Sequence, residues 1–316
     1  MKTKIVLFLA TIFFFVAIFT ACKKDNSTST NNDSTEVALQ SDDQSRVSTE
    51  VDAVATDADV SVESSPNFTG RLSQGQSSLL ADSICDATVA YDITGSPWTV
   101  TITYNGSNCL GTRTRTGKVI VSMAPGTHWK DQGAQLNVTF QNLKITRVSD
   151  NKSITINGTQ TYTNVTGGLL INLLTLGTIT HSITSSDMSI TFDDGTQRTW
   201  NVSKQRVYTF SGTNVSITIT GTHTEGTVTN VAEWGLNRLG HAFTSSTVEP
   251  VVIRSDCNFR VTSGEIKHIL PHVTADVTFG LDATGNPTSC PGTGHYYFKI
   301  VYTNSSGNSI TLIMPY

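Results

Sequence analysis

Residues 98–104 read WTVTITY, and this stretch decides the fold class. Apolar and polar side chains alternate along it, and its threonine, β-branched and aromatic residues favour strands. The turn residues TGSP at 94–97 separate it from a second alternating segment at 86–93, so the two segments predict a β-hairpin. Further alternating segments continue to residue 314, and DDG at 193–195 predicts another tight hairpin.

The alternating segments follow one another without a long helical pattern between them. We therefore predict an all-β domain over residues 76–316, folded as an antiparallel β-sandwich or a flattened barrel of about fifteen strands. A single flat sheet would leave one apolar face in water, which disfavours that arrangement. Residues 167–176 are apolar without a clear period, and they fit either a strand or a buried turn.

The composition is typical of an exported β protein. Charged residues make up only 15% of the chain, the formal net charge is −4, and Thr, Ser, Asn and Gly are abundant. Beyond residue 76 the two charge signs balance. No basic stripe of the kind that binds nucleic acid is present, so the sequence indicates that nucleic acid is not a partner.

A repeated unit predicts how the cysteines pair. In each of two units, a hydrophobic strand leads through a Gly/Asn loop to a cysteine, Cys109 and Cys290, and another cysteine opens the hairpin, Cys85 and Cys257. The start of one hairpin strand lies beside the end of the other, so we predict the disulfides Cys85–Cys109 and Cys257–Cys290. Each would contribute about 3 to 4 kcal/mol in the chain-entropy model. Four free buried thiols are the alternative, and three pairings are formally possible.

The first residues have the pattern of an export signal. A lysine-containing start precedes an apolar run at 5–19, and FTAC follows at 19–22. FTAC resembles the lipobox of bacterial lipoproteins, which implies a signal peptide over residues 1–21 and a diacylated Cys22 bound to membrane lipid. The apolar run is shorter than the ~20 residues that span a bilayer. A retained membrane helix and ordinary cleavage after Ala21 are the alternatives.

Residues 22–75 are rich in Ser, Thr, Asn, Asp and Val, and Phe68 is their only aromatic residue. Acids outnumber bases in this stretch. Such a composition buries too little apolar surface to offset the entropy of ordering the chain. We therefore predict a lipidated, disordered, acidic tether with a coil span of about 40 Å.

Three motifs carry a resemblance to a known family. RTGKVIV at 115–121, RTW at 198–200 and the stretch from Cys257 through Ser263 and Gly264 to Ile266 resemble a family of uncharacterised Bacteroidota cell-envelope lipoproteins. The resemblance covers most of residues 85–316. It implies a lipid-anchored envelope protein, at the outer membrane, and it brings no activity, cofactor or catalytic residues.

Sequence patterns that would indicate a catalytic or metal site are weak. Residues 111–118 miss the spacing of a phosphate-binding loop by one position. His268 and His272 are four residues apart, but Pro271 argues against a helix, so we predict solvated turn histidines rather than a metal pair. The adjacent acids at 193–194 predict a solvated turn. No metal site or cofactor is predicted.

Aromatic residues supply the remaining candidates. Trp129 and His128 lie in a Pro/Gly-rich loop, where we expect exposure and therefore name them as possible ligand contacts. Arg198, Arg206 and Trp200 predict a structural cation–π ladder across neighbouring strands.

These observations favour a non-enzymatic, lipid-anchored envelope protein with a structural or interaction role, whose partners are glycans or other envelope proteins. The alternative is a carbohydrate-binding lipoprotein, which predicts exposed aromatic residues or a groove near Trp129. An envelope hydrolase would instead require paired carboxylates or a histidine with a shifted pKa in a cleft.

Overall fold

The computed structural model of the protein describes residues 27–71, 84–212, 214–292 and 294–316. Fifteen antiparallel strands form one sheet, which is rolled into a barrel around a long helix, so the predicted all-β fold is confirmed. The strands are β1 (Ala87–Asp92), β2 (Trp98–Ser107), β3 (Arg113–Met123), β4 (Gln135–Arg147), β5 (Ser153–Asn164), β6 (Thr178–Phe192), β7 (Gln197–Ser211), β8 (Asn214–Gly221), β9 (His223–Glu225), β10 (Val228–Leu236), β11 (Ala242–Arg254), β12 (Arg260–Ile269), β13 (Val273–Leu281), β14 (Tyr297–Asn304) and β15 (Ser309–Pro315).

Most strands pair with their neighbours in the chain, as expected for a series of hairpins. Two strands, β8 and β10, share one position in the sheet. β7 pairs through residues 199–202 with β10 and through residues 204–211 with β8, and β11 pairs with the same two strands. β8 and β10 therefore lie end to end between β7 and β11, and the short β9 pairs only with β10.

The helix inside the barrel is α1 (Ser27–Glu63), and the short α2 (Pro66–Thr69) follows it. One stripe of α1 is apolar and buried, at positions three or four residues apart, the spacing of one helix face. The stripe consists of Val47, Val51, Val54, Ala55, Ala58 and Val62. It belongs to the same apolar cluster as inward side chains of β2 to β7, β13 and β14.

The predicted tether is therefore wrong over residues 35–71, where the chain forms the core of the barrel. Residues 22–26 and 72–75 of that prediction lie outside the described residues, as does Cys22. Among the helices that the structure describes, none is long and apolar enough to cross a membrane.

Ion pairs between α1 and the barrel explain how an acidic helix is buried. The Arg115 guanidinium lies 2.7 Å from Asp57 of α1 and 2.6 Å from Asp86. Lys204 lies 2.8 Å from Asp52, and the Tyr208 hydroxyl donates to Asp59 at 2.8 Å. Because each of these carboxylates meets a cation or a hydrogen-bond donor, the cost of removing it from water is partly offset.

The end of α1 is fixed by the carboxylate of its last residue, Glu63, which bonds to the segment between β5 and β6. Glu63 accepts hydrogen bonds from the backbone N–H of Leu170 at 2.7 Å and of Ile171 at 3.2 Å. These residues begin a single 3₁₀ turn, which α3 (Leu173–Leu176) continues, in the stretch for which sequence left strand or turn open. Burial raises the pKa of Glu63 from 4.5 to about 7.

We expect Glu63→Gln to change how stability depends on pH. Between pH 4.5 and 7 the unfolded chain ionises Glu63 while the folded protein keeps it protonated, so the free energy of unfolding falls as pH rises through this window. The Gln variant lacks this decline and should gain stability relative to the parent protein from pH 4.5 to pH 8. Urea midpoints at both pH values measure the difference, and Glu249→Gln, at an exposed position, should follow the parent. Parallel curves for parent and Glu63→Gln would contradict the prediction.

Both predicted disulfides are confirmed. Cys85 is bonded to Cys109 with the Cα atoms 5.3 Å apart, and Cys257 to Cys290 with the Cα atoms 5.1 Å apart. These separations are ordinary for disulfides. The first bridge joins the start of β1 to the loop after β2, and the second joins the turn before β12 to the loop before β14.

Candidate binding cavity

A cavity of about 560 Å³ lies between α1 and one side of the barrel. Where α1 borders the cavity, its side chains are mostly polar. Those that line the cavity are Ser41, Gln44, Ser45, Ser48, Thr49, Asp52 and Thr56.

The facing wall is apolar. It is built from inward side chains of five strands, β8 and β11 to β14. They are Ile217, Ile219, Val251, Ile253, Val261, Ile266, Val277, Phe279, Phe298 and Ile300. One polar wall and one apolar wall make a site that suits a molecule with both kinds of surface.

One end of the cavity is polar, and its side chains lie in a single row across the sheet. Glu233 pairs in register with Ser245, and Ser245 with His268. The Ser245 hydroxyl lies 2.8 Å from Nδ1 of His268. Glu233 is held by Ser48 of α1 at 2.8 Å and by Lys204 at 3.5 Å. Burial, with Arg198 nearby, lowers the pKa of His268 to about 4, so the imidazole is neutral at physiological pH.

Along β12 the lining becomes apolar toward the turn that precedes this strand. Ile266 lies two residues before His268, and Val261 lies at the start of the strand beside Ile253. The turn itself contributes Asn258 and Phe259. Polarity therefore decreases from the His268 row toward this turn.

The cavity meets solvent where its lining is exposed. Leu110 and Phe259 both line it and are 76% and 57% exposed. Phe259 has φ +53°, a left-handed conformation that costs a bulky residue about 1–3 kcal/mol and persists only where neighbours impose it. Each of these residues lies within two positions of a disulfide cysteine, Cys109 or Cys257. The two bridges thus fix the chain beside the solvent-exposed lining.

Two buried arginines, Arg206 in the cavity lining and Arg198 beside it, have no ion-pair partner among the described residues. Arg198 and Arg206 are 2% and 1% exposed, and no carboxylate among the described residues lies within 4 Å of either guanidinium. Arg198 donates from Nη2 to Gln44 at 2.6 Å, and Arg206 from Nη2 to Thr56 at 3.2 Å. The Nε and Nη1 atoms of both arginines have no hydrogen-bond partner in the described parts of the chain. Burial lowers the pKa of Arg198 to about 10.

The predicted exposure of Trp129 is wrong. Its side chain is completely buried, with its ring 4.9 Å from that of His181, and its backbone N–H donates to Phe68 of α2 at 2.7 Å. The ring of His128 packs on Gly70, the left-handed residue that ends α2, where a Cβ atom would come within 2.6 Å of it. Sequence could not show this because the loop packs against a segment that we predicted to be disordered.

Of the other residues singled out in the sequence, some lie where they were predicted and others do not. His268 is buried in β12, so its prediction as a solvated turn residue is wrong, whereas His272 is exposed in a turn. The acids at 193–194 are exposed at a hairpin turn, as predicted. The predicted cation–π ladder is replaced by separate contacts, because Arg198 stacks 4.4 Å from Phe243 and Arg206 lies 5.3 Å from Tyr208.

Within the described residues, one group of possible metal ligands occurs, Asp256 with Cys257 and Cys290. The two sulfur atoms belong to a disulfide, so neither is a thiolate ligand.

Sequence reasoning missed the polar residues of the cavity, namely Glu233, Ser245 and Lys204. A signal was present in β7, where every alternate inward position from 198 to 208 except Val202 carries a charged or aromatic side chain. These positions are Arg198, Trp200, Lys204, Arg206 and Tyr208. An inward face of this kind requires a polar partner inside the barrel.

Comparison with protein-family models, with curated proteins and with solved structures found no match. The resemblance to envelope lipoproteins stays a prediction from the sequence motifs.

Proposed function

We propose that this protein is a lipid-anchored cell-envelope protein that binds a small amphipathic molecule in the cavity of its barrel. The observation that carries the proposal is the cavity itself, with a polar wall from α1 and an apolar wall from β8 and β11 to β14. Its volume of about 560 Å³ falls within the range of about 300–1,000 Å³ found for small-molecule sites.

Two further observations support the envelope location. The export pattern ends in FTAC at 19–22, and two disulfides are typical of an oxidising compartment. If Cys22 is acylated, the anchor lies five residues from the start of α1 at Ser27, a reach of at most about 18 Å. The barrel would then lie close to the membrane rather than on a long tether. Membrane partitioning of a Cys22→Ser variant tests this part of the proposal.

The polar row favours binding over catalysis. In a serine hydrolase the histidine is oriented by a carboxylate that stabilises its charged form. Here Ser245 is the residue bonded to Nδ1 of His268, and the nearby charge of Arg198 opposes protonation of the ring. A histidine with a pKa of about 4 is a weak general base at neutral pH.

The carbohydrate-binding alternative predicted exposed aromatic residues or a groove near Trp129. Trp129 itself is buried and therefore offers no stacking surface for a sugar ring. A glycan array on the intact protein remains the measurement that would restore this alternative.

We expect Val277→Trp to weaken ligand binding without unfolding the protein. Val277 points into the cavity from β13, and the larger side chain would occupy space that the ligand needs. We expect affinity for a single-chain amphiphile to fall by at least about tenfold, equivalent to about 1.4 kcal/mol. Isothermal titration with hexadecanoate and hexadecan-1-ol, together with thermal unfolding, measures both effects.

Thr278→Trp is the matched control, because Thr278 is the next residue of β13 and is not part of the cavity lining. It should bind both amphiphiles as the parent protein does. If the parent protein binds neither amphiphile, or if Val277→Trp binds as well as the control, the cavity is not the site.

A further inference from the structure

We propose that the ligand carries one negative charge, as a long-chain carboxylate does, with its carboxylate beside Ser245 and His268 and its chain along the apolar wall toward Phe259. This inference rests on the proposed function and specifies the chemistry of the molecule that occupies the cavity.

Ion pairs are distributed unevenly among the cations at the polar end of the cavity. Of Arg198, Lys204 and Arg206, Lys204 alone pairs directly with carboxylates of the described residues, those of Asp52 and Glu233. Neither arginine has a carboxylate within 4 Å among the described residues.

Acids beyond 4 Å offset part of the charge of each arginine without a direct contact. Glu233 and Asp43 act on Arg198 in this way, and Asp52 and Asp59 act on Arg206.

A buried guanidinium without a direct counterion is costly, because distant acids offset only part of the cost of removing its charge from water. Unsatisfied N–H groups add to this cost, and Arg198 and Arg206 together carry four such nitrogen atoms. An anion in the cavity would add an opposite charge near these arginines, whereas a cationic amphiphile would add a charge of the same sign.

The Ser245–His268 pair is the best contact for that anion. When Ser245 donates its hydroxyl hydrogen to Nδ1, the ring carries its own hydrogen on Nε2. No group among the described residues bonds to Nε2 of His268. Nε2–H can then donate to a carboxylate while Arg198 supplies positive potential behind the ring.

The apolar wall sets the direction of the chain. From the His268 row the lining passes Ile266 and Val277, then Phe279 and Phe298, before it reaches the exposed Phe259. A hydrocarbon chain with its head at His268 would follow this gradient and leave its end near solvent.

Three ligands with the same chain length separate the effect of head-group charge on affinity from that of the hydrocarbon chain. Hexadecanoate, hexadecan-1-ol and hexadecylamine are titrated into the intact protein at pH 8 and low salt. We expect hexadecanoate to bind at least about tenfold more tightly than the alcohol, because hydrogen bonds to a charged group contribute about 1.5–3 kcal/mol. The amine should bind most weakly.

Variants then assign the preference to the proposed residues. Arg198→Met removes the charge and keeps most of the side-chain length, so the ratio of acid to alcohol affinity should fall to about one while alcohol affinity stays. Arg147→Met, at an ion pair outside the cavity, should keep the parent ratio. If Arg198→Met does not fold, Ser245→Ala serves as the second variant, and it should lower the same ratio by several-fold.

The outcomes separate this inference from the proposed function. If hexadecanoate and the alcohol bind equally, or if the amine binds best, the anionic ligand is excluded while the amphiphile site stands. If none of the three binds, the amphiphile site itself is excluded. An unchanged ratio in the folded Arg198→Met or Ser245→Ala variant would remove these residues from head-group recognition.

Discussion

Val54→Asp is expected to unfold the barrel, whereas Thr49→Asp, five residues earlier in the same helix, is expected to leave it folded. Val54 is completely buried in the apolar stripe of α1, and Thr49 is exposed. A carboxylate at position 54 loses the valine contacts and enters an apolar cluster without a partner. We expect a loss of at least about 4 kcal/mol, a large part of the 5–15 kcal/mol that stabilises a typical domain.

Chemical denaturation followed by circular dichroism measures this loss. Both variants replace a β-branched residue with aspartate and have the same net charge. Any general effect of the added charge, or of aspartate in a helix, is therefore common to both. A disordered tether would tolerate either substitution. Equal stability of the two variants would therefore contradict the placement of α1 in the core.

Arg115→Met is expected to destabilise the protein by about 3–5 kcal/mol, the usual cost of removing one partner from a buried ion pair. Arg115 is 4% exposed and bonds through two nitrogens to Asp86 and through Nη1 to Asp57. Its guanidinium also lies 4.2 Å from the ring centre of Tyr104. The substitution leaves two carboxylates in a buried site without their cation. Urea unfolding at pH 7 measures the loss.

A second set of variants shows whether the ionic network is the cause. Combining Arg115→Met with Asp57→Asn and Asp86→Asn removes the uncompensated charges and should restore much of the lost stability. Arg254→Met removes an exposed arginine from its pair with Asp256 and should cost less than about 1 kcal/mol. A loss at Arg115 no larger than at Arg254 would show that the network contributes little.

Both predictions concern the burial of α1 inside the barrel, which the sequence did not predict. The apolar positions of α1 follow helical spacing, from Val47 to Val62, but they are valines and alanines separated by many polar residues. Composition therefore indicated disorder. The helix is stabilised by Arg115 and Lys204, from strands far along the chain, and by Arg238, from the turn between β10 and β11.

The cavity was unpredictable for the same reason. Ser245 and His268 are 23 residues apart in the chain, and only the register of β11 with β12 brings them together. His268 looked like a turn residue because Pro271 follows closely, yet β12 extends to Ile269 and buries the ring. Trp129 looked exposed because the α2 segment that covers it was taken as a tether.

The sequence by itself determined the strands and the two disulfides of this protein. Both depend on local information, since alternation of side chains and the geometry of single hairpins involve neighbours in the chain. Only the tertiary structure decided that an acidic segment fills the barrel and that a cavity remains beside it. Burial of those charges depends on partners contributed by distant strands, and no local pattern specifies which partners will meet.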